Sequence, residues 1–75
     1  MGNVNSVDVR LDVDGVIMKG VKTGWKIRIE YDPEDTGGYY IFTSRNNENH
    51  DAWVATMEDL KEVFNETRWV ISWGH

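Results

Sequence analysis

Along this chain, apolar and polar residues alternate in short runs, and a helical period occurs only once. Val7, Val9, Leu11 and Val13 alternate with Asp8, Arg10, Asp12 and Asp14, the period-2 pattern of a strand with one buried face. Asp14-Gly15 supplies the positive-φ pair of a two-residue hairpin turn. That turn sets Val13 opposite Val16, Leu11 opposite Met18 and Val9 opposite Gly20, and a slip of one residue would turn the apolar set to solvent. A second turn at Thr23-Gly24 leads into Trp25, Ile27, Ile29 and Tyr31, alternating with Lys26, Arg28 and Glu30. This strand stops at Asp32-Pro33, where proline removes a ladder donor, and a loop runs through Gly38.

Tyr39 to Ser44 is apolar on both faces, which predicts a central strand or one whose second face is covered. Arg45 to His50 reads as an Asn-rich loop. Ala52 to Val54 fits a short strand better than a first helical turn, because Thr56 has the chemistry of an N-cap. From there Met57, Leu60, Val63 and Phe64 share one helical face, with Glu58, Asp59, Lys61, Glu62, Asn65 and Glu66 on the other. Glu58 and Asp59 sit in the first turn, where the helix dipole favours acids, and no glycine closes the other end. Trp69, Ile71 and Trp73 alternate with Val70 and Ser72 as a last strand.

The expected fold is therefore α+β: an antiparallel meander of four to six short strands with one helix, residues 57–66, packed on one face. Residues 1–6 form a free N-terminus and 7–75 a single domain. The expected core is Val9, Leu11, Val13, Val16, Met18, Trp25, Ile27, Ile29, Ile41, Met57, Leu60, Phe64, Trp69 and Ile71.

Seventy-five residues lie near the lower size at which one core holds a chain without disulfides or metal. A homodimer is a natural supplement, with the doubly apolar strand pairing edge to edge or face to face. The absence of cysteine excludes a disulfide scaffold, a thiolate zinc site and a cysteine nucleophile together. No stretch approaches the roughly 18 apolar residues of a membrane helix, so a cytoplasmic protein without membrane contact is expected. Met1-Gly2 with Ser6 matches a myristoylation pattern, but no second membrane signal accompanies it.

Catalytic chemistry has little to draw on. His50 lies in a loop and His75 ends the chain, while Ser6, Ser44 and Ser72 lack a glycine elbow. Asp12-x-Asp14-Gly15 echoes the start of a calcium loop, but Thr23 stands where the closing glutamate belongs. The chain is read as neither enzyme nor metal protein, and no cofactor is expected.

The net charge of −5 is unevenly spread. Lys19, Lys22, Lys26 and Arg28 fall in a stretch without acids, and six acids lie between Glu48 and Glu66 against Lys61 alone. Trp25, Tyr39, Tyr40, Phe42, Trp53, Trp69 and Trp73 exceed what one short helix covers, and they divide between core and contact surface. The expected function is a small non-catalytic protein-binding module, an inhibitor or immunity-type antagonist that occludes a basic partner surface. Its candidate residues are Glu48, Asp51, Glu58, Asp59, Glu62 and Glu66 with Tyr40 and Phe42. The alternative is a nucleic-acid-contacting accessory using Lys19, Lys22, Lys26 and Arg28 with Trp25 between them, which the acidic balance disfavours. A small enzyme is the least favoured reading.

The run Gly24-Trp25-Lys26-Ile27-Arg28-Ile29, followed by a glutamate-rich helix and a terminal tryptophan strand, resembles small immunity proteins encoded beside bacterial toxins. The likeness extends over the last two-thirds of the chain and contains no diagnostic motif. It implies a small intracellular protein that binds another protein.

Overall fold

The computed structural model describes residues 8–74. The expected free N-terminus (1–6), Val7 and His75 lie outside the described residues. The elements are β1 (Asp14–Lys19), β2 (Lys26–Asp32), β3 (Gly38–Arg45), β4 (Glu48–Val54), α1 (Met57–Thr67) and β5 (Val70–Trp73). They build one antiparallel sheet of order β4-β3-β2-β1-β5. Among the described residues the expected α+β meander with a single helix is thus observed. The last strand, β5, docks beside β1, so α1 carries the chain from one edge of the sheet to the other.

The helix forms as its cap chemistry directs. The Asp59 amide donates to Thr56 Oγ1 at 3.0 Å, and Glu58 and Asp59 occupy the first turn. Leu60 and Phe64, one turn apart, are buried, while Met57 and Val63 flank them half-buried. The end lacking a glycine is closed by Arg68 in the left-handed conformation at φ 60°. Beneath the helix lie Ile17 of β1, Ile27 and Ile29 of β2 and Ile41 of β3, with Trp25 just before β2.

The first hairpin is not where the alternation places it. Asp14 and Gly15 are inside β1, and the pairs Val13–Val16, Leu11–Met18 and Val9–Gly20 do not form; β1 pairs instead with β2 and β5. The chain turns earlier, at Asp12, which adopts φ 61° and donates its amide to the Ile29 carbonyl at 2.8 Å. Aspartate tolerates this backbone region better than most residues. Gly15 serves close packing: a methyl there would sit 2.7 Å from Ile71 Cγ2 and 2.9 Å from the Trp73 ring. The shift inverts β1. Ile17, absent from the expected core, is fully buried; Met18 is 54% exposed and Val16 faces away from the helix. Val9, Leu11 and Val13 are only half-buried, the first two against the edge of the core.

Arg45 to His50 is also corrected. Only Asn46 and Asn47 form a turn, with Asn46 at φ 54°, and β4 begins at Glu48, paired with β3 through seven successive partners from Arg45–Glu48 to Tyr39–Val54. Asparagine suits such a two-residue turn.

Candidate protein-contact site

Because α1 covers one face, strand alternation leaves the other open, and the register arranges that open face in three cross-strand ranks. The first runs Glu30–Tyr40–Trp53, the second Asp14–Arg28–Phe42–Asp51, and the third Ser72–Val16–Lys26–Ser44–Asn49. Tyr40 and Phe42 stack with centroids 5.7 Å apart. Trp53 is held flat across Gly38, where a methyl would come within 2.5 Å of its ring. Its indole N–H donates to Thr36 Oγ1 at 2.9 Å, and Thr36 Oγ1 is within 3.2 Å of Asp32 Oδ2. The exposed indole is therefore positioned by the β2–β3 loop. Phe42 and Trp53 are 37% and 45% exposed, and Met18 and Val70 lie further along as exposed apolar groups.

Carboxylates surround the aromatic centre. Arg28 bridges Asp14 at 3.0 Å and Glu30 at 2.9 Å, and these hydrogen bonds, to Asp14 first and then Glu30, raise its pKa above the ordinary guanidinium value. Its charge is thereby matched twice over. Asp51 takes part in no ion pair among the described residues.

The candidate residues do not form one surface. Tyr40, Phe42 and Asp51 come together on the open face. Glu58, Asp59, Glu62 and Glu66 are exposed on the outer side of α1, across the sheet from them, without an ion pair among the described residues. Glu48 sits at the β3–β4 hairpin, 3.7 Å from Arg45. The basic stretch divides likewise. Lys26 and Arg28 lie on the open face, Lys22 on the helix side, and Lys19 at the exposed end of β1. Trp25 is not between them: it is buried on the helix side, with Lys22 Nζ 4.8 Å and Arg45 Cζ 5.1 Å from its ring. Trp53 is the contact residue missing from the candidate set. Its alternation with Asp51 signals the shared face, but only once β4 is extended back to Glu48.

Among the described residues, no helix is long and apolar enough to cross a membrane. No family model, curated protein or solved structure matches this chain.

Proposed function

We propose that this chain is a small, non-catalytic protein-binding module of the cytoplasm that covers a basic surface of its partner with the open face of its sheet. The observation that carries the reading is the positioned aromatic centre Tyr40–Phe42–Trp53, with Phe42 and Trp53 exposed, Tyr40 half-buried, and Asp14, Glu30 and Asp51 around it. Protein interfaces concentrate their energy in such aromatic anchors, and a rigid anchor loses little conformational freedom on binding. Asp51, which takes part in no ion pair among the described residues, and the net charge of −5 favour a basic partner and speed encounter with it. In this reading the acids of α1 contribute to long-range attraction rather than to direct contact.

Lys26 and Arg28 share the face with aromatic rings, as a base-stacking surface requires. Arg28, however, is held by two carboxylates, which weakens the phosphate attraction that such binding needs.

The test is affinity capture from the cells that make the protein, with four baits: the unmodified chain, Tyr40→Ser with Phe42→Ser, Glu58→Lys with Glu62→Lys, and Lys26→Ala with Arg28→Ala. The expected result is one stoichiometric basic protein, lost with the aromatic pair and bound more slowly with the helix pair. Recovery of RNA or DNA lost only with the Lys26/Arg28 bait, or capture of the protein indifferent to Tyr40 and Phe42, would overturn the proposal.

A further inference from the structure

The two edges of the sheet are protected differently. β5 is four residues long and its register against β1 is broken between Ile17 and Lys19. β4 is seven residues long, pairs with β3 without a shift, contains neither lysine nor proline, and among the described residues has no strand beside its outer side. Natural sheets blunt their edges by shortness, bulges, proline or charged side chains, lysine above all; of these β4 has only the carboxylates Glu48 and Asp51.

A cavity of about 130 Å³ opens beside it on the helix side. Its walls are Ile41, Ala52, Val54, Val63 and Trp69, with Lys22, Thr43, His50 and Asp51 as the polar residues at its margin. A cavity of roughly 150 Å³ accepts a benzene-sized group, so this one takes a single branched aliphatic side chain. Lys22 is half-buried, donates one hydrogen bond, to Thr43 Oγ1 at 3.2 Å, and takes part in no ion pair among the described residues. Its ammonium has three donors, leaving capacity for a carboxylate.

We infer that β4 accepts an extended partner segment as a sixth strand, with a branched aliphatic side chain opposite Ala52 and a carboxylate two residues away, opposite His50, reaching Lys22. Backbone pairing supplies affinity in such strand addition, and pockets for alternate side chains supply specificity. The spacing follows from the pleat, since side chains two residues apart share a face at roughly 6.6 Å, the separation of Ala52 and His50 along β4. This site is on the other side of the sheet from Tyr40 and Phe42, and it does not depend on the open-face reading.

The probes are fluorescein-labelled Thr-Thr-Leu-Thr-Glu-Thr-Thr and Thr-Thr-Glu-Thr-Leu-Thr-Thr, one for each strand direction, titrated by anisotropy and by amide chemical shifts. One of them is expected to saturate, with shifts centred on β4, Val63 and Trp69. Replacing its Leu by Ser, N-methylating alternate backbone nitrogens, or filling the cavity by Ala52→Trp should each weaken it about tenfold, with the melting curve of the variant checking its fold. Tyr40→Ser with Phe42→Ser should leave binding unchanged. Absence of saturation by either probe at millimolar concentration, binding that survives N-methylation, or shifts centred on the open face would overturn the inference. So would a free chain that sediments as a dimer reverting to 8.7 kDa on Ala52→Trp, because the edge would then belong to a second copy.

Discussion

Replacing Ile17 and Val16 separately by alanine measures which way β1 faces. Ile17 is 0% exposed beneath α1, whereas Val16 lies half-buried on the open face. Truncating a buried isoleucine to alanine costs about 2–5 kcal/mol, because lost transfer energy and a residual cavity add. A half-buried valine on an uncovered face keeps part of its solvent contact in the folded state, so its truncation should cost under about 1 kcal/mol. A domain of 75 residues has about 4–11 kcal/mol in total, so Ile17→Ala removes a large fraction of it. At about 4–8 °C per kcal/mol for this size, its melting point should fall by at least about 8 °C. Urea titration followed by tryptophan fluorescence gives both values, and an unchanged denaturant slope confirms that the folded state alone was altered. Equal costs, or Val16→Ala costing more, would refute the observed register and restore the Asp14-Gly15 hairpin.

Leu60→Ala should also cost about 2–5 kcal/mol, since Leu60 is fully buried where α1 meets the sheet; a melting shift of less than a degree or two would show that α1 is not the cover of this core. Gly38→Ala should cost about 1–3 kcal/mol through overpacking, because the added methyl meets the Trp53 ring at 2.5 Å and the Val54 carbonyl oxygen. Trp53→Ala should relieve only the ring's share of that loss in the double variant, because the contact with the Val54 carbonyl oxygen stays, and fully additive costs would show that the indole does not lie across Gly38.

The periodic parts of the chain were legible and its turns only in part. The alternation of β2, the 3.6-residue spacing of α1 and the Thr56 cap each had one physical solution, and each appears as read. Two signals had more than one. Asp14-Gly15 is good turn chemistry, but glycine also permits close approach, and the crowding of Ile71 and Trp73 against Gly15 comes from β5, some 55 residues later in the chain. Arg45–His50 contains both a turn and the start of a strand, and polar residues on an exposed edge look like loop. Errors of that kind propagate by parity. Inverting β1 exchanged Ile17 for Val16 and Met18, and shortening β4 hid Trp53 from the face it shares with Phe42 and Asp51. The split of the acids from the aromatics was beyond the sequence, because it follows from which side of the sheet α1 crosses.

The crossing of α1 to the far edge also sets an order of events during synthesis. β1 to β4 are joined by local hairpins, which form in about 1–10 μs, so the meander can pair as it leaves the ribosome. Its cover and its fifth strand follow the meander, over residues 55–74. At about 5–20 residues per second, that stretch takes on the order of one to four seconds to add. Until that stretch has emerged, any sheet the meander forms leaves Ile17, Ile27, Ile29 and Ile41 uncovered, with β1 as well as β4 unpaired at its sides. Vectorial translation thus leaves the meander open to misassociation until α1 and β5 have emerged behind it, and a pause while residues 55–74 are being added would lengthen the exposure without changing the folded product.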